Sequence, residues 1–142
     1  MPPLKLSSSL RMAVGSLHKV LRRQTSLISS YSMTEMETIS LISRNDAILA
    51  SELALRTRIT TQSMSQILKK FEEQGHITRT GSPDDKRKVH ISLTPAGEKL
   101  VKQNRYERDA FLQKRIESLL TDKEVALLEK IVPILEKLAA VD

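Results

Sequence analysis

The chain has 142 residues, with 23 Lys and Arg against 17 Asp and Glu, a formal net charge of +6, and neither cysteine nor tryptophan. That length sets one domain with a core of ordinary size, and the absence of cysteine excludes disulfides, thiolate metal sites, cysteine nucleophiles and thiol redox sensing. Aromatics at 3% and only 4 glycines favour helices over a β-rich fold, while the basic balance favours an acidic partner, nucleic acid or an anionic surface among them.

In chain order, Leu10, Val14, Leu17 and Leu21 fall at helical spacing and predict a long first helix from Ser9 to Ile28, with Ser7 to Ser9 as candidate N-caps. A second helix is predicted from Thr34, where Thr34-Glu35-Met36-Glu37 reads as a capping box, to about Asn45. After the apolar piece Ala47 to Leu49 come two closely linked helices, Ser51 to about Arg56 and Thr60 or Thr61 to Gln74, which suggest a helix-turn-helix. Gly75 closes the second of them as a C′ glycine. Ile77 to Thr80 and Val89 to Leu93 then read as two strands around the charged turn GSPDDKRK, a β-hairpin wing. Thr94-Pro95 opens a long helix running through Ile116. Thr121-Asp122-Lys123-Glu124 opens a last one, in which Pro133 is expected to kink or split the apolar run.

The charge is uneven along these elements. Residues 1–33 carry a net +5, 34–49 a net −2, 50–94 a net +3 and 95–142 none. The longest stretch free of Asp, Glu, Lys and Arg, Gln24 to Thr34, has eleven residues, well short of the roughly twenty of a membrane span. The first ten residues lack the apolar run and cleavage site of a signal peptide, so a cytoplasmic location is expected. The fold class expected is mainly α with a small β-hairpin wing. A single domain over 1–142 would hold a winged helix-turn-helix lobe at 34–97 between long dimerisation helices at 4–30 and 98–140. Such a lobe cannot bury both the Leu10/Val14/Leu17/Leu21 stripe and the apolar faces of two C-terminal helices, so a homodimer interleaved around a two-fold axis is expected.

Catalysis finds little support. His18, His76 and His90 lie on three different elements, and no HExxH, HxxxH, GxSxG, GxGxxG or GKS/GKT sequence occurs. No enzyme, metal site or cofactor is expected, and each histidine reads as structural.

Ile59 to Gly75, by contrast, has two faces. Ile59, Met64, Ile67 or Leu68, and Phe71 pack inward, leaving Thr61, Gln62, Ser65, Gln66 and Lys69 outside. Those side chains suit a helix in the major groove, because glutamine pairs with adenine, Ser and Thr reach base or phosphate, and threonine methyls touch thymine. Lys69 and Lys70 would meet phosphates. At the wing, Lys86, Arg87 and Lys88 form a cationic finger suited to a narrow minor groove, with Asp84 or Asp85 placed to hold an arginine. The competing reading is a winged-helix module that binds protein through the same unit without specific DNA binding. A serine esterase would lack a base and an orienting group at recognisable spacing.

Ala50 to Leu100 resembles the winged helix-turn-helix core of MarR-family transcriptional regulators, and the flanking helices follow that family's order over nearly the whole chain. Asp85-Lys86-Arg87, then Leu93-Thr94-Pro95-Ala96-Gly97, is similar to the family's wing signature and its entry to the fifth helix. Glu52-Leu53-Ala54 and Phe71-Glu72-Glu73-Gln74-Gly75 resemble the start of its third helix and the close of its recognition helix. The resemblance implies a bacterial repressor that binds a pseudo-palindromic double-stranded operator as a homodimer, with half-sites roughly 34 Å apart. It makes Arg87 the minor-groove arginine and Asp85 its brace. Thr60, Thr61, Gln62, Ser65 and Gln66 become the reading residues, with Lys69, Arg79 and Lys86 near phosphates. Leu49 stands where the family often has a capping threonine, so Ser51 or nothing caps the third helix. A small, aromatic effector wedged between lobe and body is carried as a candidate ligand, with His18, Arg22, Tyr31, Met33 and Met36 as its candidate pocket.

Overall fold

Apolar side chains at three- and four-residue steps organise the chain into helices around one small sheet. The computed structural model describes residues 2–24, 30–81, 83–85 and 87–140. Among them the elements are α1 (Pro3–Arg22), α2 (Met33–Arg44), β1 (Ile48–Leu49), α3 (Ala50–Thr57), α4 (Thr61–Glu73), β2 (Ile77–Gly81), β3 (Val89–Leu93), α5 (Pro95–Leu119) and α6 (Asp122–Ala139).

Helix starts differ from the sequence expectation at three places, α3 by one residue at Ala50 in place of Ser51 and α1 and α2 in how they are capped. α1 begins at Pro3 rather than Ser9, with no side-chain cap; a proline at N1 forfeits only an N–H the helix leaves unpaired anyway. Ser7 therefore lies inside α1, its hydroxyl donating to the Pro3 carbonyl at 3.0 Å, and caps nothing. The helix ends at Arg22, and Thr25 to Ile28 of the predicted stretch lie outside the described residues. α2 is capped by Ser32 instead of Thr34: the Glu35 N–H donates to the Ser32 hydroxyl at 3.1 Å and the Ser32 N–H to the Glu35 carboxylate at 2.9 Å. Ser32-x-x-Glu35 and Thr34-x-x-Glu37 satisfy the same pattern, and the structure uses the earlier one, leaving the Thr34 carbonyl to accept from the buried Thr38 hydroxyl.

Elsewhere Thr94 and Thr121 cap α5 and α6 where expected, and Thr60, which the sequence assigns to DNA and not to a cap, caps α4. Gly75, at φ 78°, closes α4 with the His76 N–H on the Phe71 carbonyl and its own N–H on Glu72. α3 has no side-chain cap. α6 runs unbroken through Pro133, so the proline does not split it.

The sheet has the order β1-β3-β2, all antiparallel, with Ile48 opposite Ile91 and Ile77 opposite Leu93. Strand β1 has only two residues, too few to carry an alternation in the sequence. Its Ile48 joins Ile39, Ile42, Leu53, Met64, Leu68, Phe71, Ile77 and Ile91 in one buried cluster, extended by Val101 of α5. Neither α1 nor α6 contributes a buried residue, and Leu6, Val14, Leu17, Leu127, Ile134 and Leu138 are all exposed. Among the described residues no helix is long and apolar enough to cross a membrane.

Candidate nucleic-acid interface

The helix-turn-helix is α3 and α4 joined by Arg58, Ile59 and Thr60. Arg58 takes the left-handed conformation (φ 57°, ψ 41°), its N–H turning back to α3 carbonyls, and the Ile59 N–H bonds the Ala54 carbonyl at 3.2 Å. This turn lets Thr60 cap α4: the Ser63 N–H donates to its Oγ1 at 3.0 Å. The Thr60 hydroxyl, expected at DNA, is thus already engaged in the cap.

Met64, Leu68 and Phe71 fix the rotation of α4 by packing into the core. Thr61, Gln62, Ser65, Gln66 and Lys69 consequently all lie exposed. Lys69 reaches Glu73 only at 4.0 Å, a loose surface contact that leaves its charge largely free. Arg79, on β2, pairs with Glu72 at 3.1 Å, tying the first wing strand to the end of α4. Lys70 departs from its expected place. It is half-buried and pairs with Glu35 of α2 at 2.7 Å, on the side of α4 that faces its own lobe.

At the wing tip the Asp85 carboxylate accepts the Arg87 backbone N–H at 3.0 Å and lies 3.4 Å from its Nε. The Lys88 N–H closes the turn on the Asp85 carbonyl. The Arg87 side chain is 93% exposed, so its charge is held out into solvent from a turn that its aspartate stiffens. Lys86 lies outside the described residues.

His18, Arg22, Tyr31, Met33 and Met36 line one cavity of about 330 Å³, together with Ser40, Arg44 and Arg108. Glu37 is the acid in that lining. No local motif predicts the additional arginines, which come from α2 and α5. Burial is the main influence on Tyr31 and raises its phenol, with Lys70 opposing and Glu35 reinforcing the rise. At Glu35 burial acts upward, but the Lys70 hydrogen bond and charge and the Ser32 cap bonds outweigh it and bring the carboxyl below its usual value. His76 is held low by burial, its Nδ1 buried with no hydrogen-bond partner among the described residues and its ring set edge-on to Tyr31 and Phe71. His90 Nδ1 lies 2.8 Å from the Ala47 carbonyl. Among the described residues no three His, Asp or Glu side chains group to hold a metal.

The MarR family model matches residues 30–88. An HTH-type transcriptional regulator from Mycobacterium leprae is 30% identical over 84% of this chain and 82% of its own length. The chain belongs to the MarR family. As a MarR-family member it is a DNA-binding transcriptional regulator, and its relatives bear names of regulators rather than of enzymes. A transcriptional-regulator protein from Pseudomonas aeruginosa has the same fold, with a TM-score of 0.82 and 27% identity over 98% of this chain and 97% of that one. Streptococcus pneumoniae FabT, solved in complex with DNA, shares the MarR fold at a TM-score of 0.62 and 24% identity, covering 94% of this chain and 92% of its own.

Proposed function

We propose that this regulator is a cytoplasmic repressor that grips a pseudo-palindromic operator as a homodimer and lets go when a small anion enters the cavity between α1, α2 and α5. The observation that carries the DNA reading is the exposed row Thr61, Gln62, Ser65, Gln66 and Lys69 on a helix whose rotation the core fixes. Uncharged donors and acceptors read base edges, and Lys69, Arg79 and Arg87 surround them with cations for phosphate and minor groove. Asp85 braces the wing so that Arg87 is ordered before DNA arrives. The DNA in the FabT complex supports a duplex as the partner.

The unburied apolar faces support the dimer. α1 and α6 flank an apolar cavity of about 810 Å³ walled by Leu6, Leu10, Val14, Leu135 and Leu138, and a second copy of the same two helices is the occupant that matches it in length and chemistry. The cavity at Tyr31 favours an anion, aromatic acids first, because Arg22, Arg44 and Arg108 line it with Met33 and Met36 as apolar walls. Tyr31 also stacks on Phe71 of α4, with ring centroids 5.5 Å apart, so a ligand that displaces it disturbs the reading helix.

The test is titration of duplex DNA from upstream of the protein's own gene across a salt series, with and without aromatic acids. A steep negative slope of log K against log salt is expected, with Arg87→Ala weakening binding and Gln62→Ala relaxing base preference more than nonspecific affinity. Unchanged affinity in Arg87→Ala would remove the wing assignment.

A further inference from the structure

Four side chains join the start of α2 to the second half of α4, and the DNA-reading row uses none of them. Lys70 Nζ lies 2.7 Å from Glu35 Oε2, donates to the Ser30 carbonyl at 3.0 Å and stands 4.9 Å above the Tyr31 ring. The Tyr31 hydroxyl donates to Gln74 Oε1 at 2.8 Å, while its ring lies nearly parallel to Phe71 at an interplanar angle of 13°. Glu35 serves both ends: Oε1 accepts the Ser32 N–H that starts α2, and Oε2 holds α4. Its side chain is 14% exposed, which lifts the pair out of the class of solvated surface contacts that contribute little.

We propose that Glu35, Tyr31 and Lys70 form a latch that sets the angle of the recognition helix, making Lys70 a positioning residue for DNA reading and not a phosphate contact. The inference rests on the DNA-binding reading and adds to it the device that fixes specificity. Core packing of Met64, Leu68 and Phe71 fixes the rotation of α4, but a single inner stripe constrains the tilt of the helix axis less. The latch bonds lie off that stripe, at Lys70 and Gln74, and resist that tilt.

Charge arithmetic separates the latch from simple electrostatics. Loss of a lysine on phosphate weakens every duplex and lowers the salt slope by about one, whereas loss of an acid near DNA tightens binding. Glu35→Gln retains an oxygen for the α2 cap and drops the charge that holds Lys70. The latch therefore requires weaker binding to the recognised duplex from a more positive protein.

Wild type, Glu35→Gln, Lys70→Met, the double variant and Tyr31→Phe are titrated across a salt series against a duplex that the wild type selects from a random pool, and against a scrambled duplex. Each charge variant is expected to lose about five- to twentyfold on the selected duplex and little on the scrambled one, with an unchanged salt slope and a double variant no weaker than either single. Tyr31→Phe keeps the stack, involves no charge and is expected to lose less, still on the selected duplex alone; it keeps the test decisive if a charge variant melts below the titration temperature. Tighter binding of both duplexes by Glu35→Gln, or a slope about one lower in Lys70→Met, overturns the latch and returns Lys70 to the phosphates. A wild type that selects no duplex removes the DNA-binding reading as well; one that discriminates while its variants behave as plain charges removes the latch alone.

Discussion

The winged lobe and the flanking helices use their apolar side chains in opposite ways. In the lobe, Ile39, Leu53, Phe71 and Ile91 are fully buried against one another, whereas α1 and α6 leave Leu6, Val14, Ile134 and Leu138 largely exposed. The lobe buries its apolar side chains within its own chain, and α1 and α6 leave theirs open. In the proposed dimer, a regulator divided this way would keep the core of its reading head apart from the helices that associate.

The largest effect that would break this contrast is in the lobe. Phe71→Ala removes the fully buried ring that Tyr31 stacks on and His76 meets edge-on and is expected to cost about 3 to 5 kcal/mol by chemical denaturation, a large part of the stability of a domain this size. In the body, Val14→Asp puts a charge on the α1 face next to Leu135 and Leu138. Light scattering is expected to show the mass falling from a dimer to the 16.0 kDa chain, with the far-ultraviolet spectrum of the lobe kept. If Val14→Asp unfolds the lobe as well, the two regions are not independent. A smaller effect sharpens the boundary of α2: Ser32→Ala is expected to cost about 1 kcal/mol and Thr34→Ala less, measured by thermal melting. The smallest concerns His76. Because burial lowers its pKa, the unfolded chain takes up the proton first as pH falls, so stability declines below about pH 6.5. His76→Phe is expected to flatten that decline in urea midpoints.

Much of the lobe was legible because its signals are local. Thr94 caps the helix it precedes, Gly75 marks a left-handed residue, and Val89, Ile91 and Leu93 alternate within five positions. The inward stripe of α4 likewise fixed which side chains stay outside. What escaped depends on contacts distant in sequence. Glu35 and Lys70 meet across the fold with no pattern linking them, so the sequence shows two equivalent lysines where only Lys69 faces out. Strand β1 is defined by its partner Ile91 and not by its own two residues. α1 extends upstream of its apolar stripe because Pro3 suits a first turn, and two overlapping capping patterns left the start of α2 open by two residues. The five cavity residues lie together, yet the arginines that complete the lining come from α2 and α5, beyond the reach of any short motif.

Gly97 has a mechanical consequence. A Cβ there would collide with the His76 carbonyl, and Val101 and Asn104 are buried just beyond it, so the first turns of α5 are welded to the reading head. In the proposed dimer, spreading of the two heads would therefore originate past Asn104, with the rest of α5 as a lever. From Asn104 to Leu119 it runs about 22 Å, and a flexure of about 5° at that fulcrum would carry the far end about 2 Å. In the proposed dimer, small bends in that stretch of α5 would then govern whether two heads fit successive grooves together, and stiffening it would weaken the proposed response to ligand while sparing the grip on DNA.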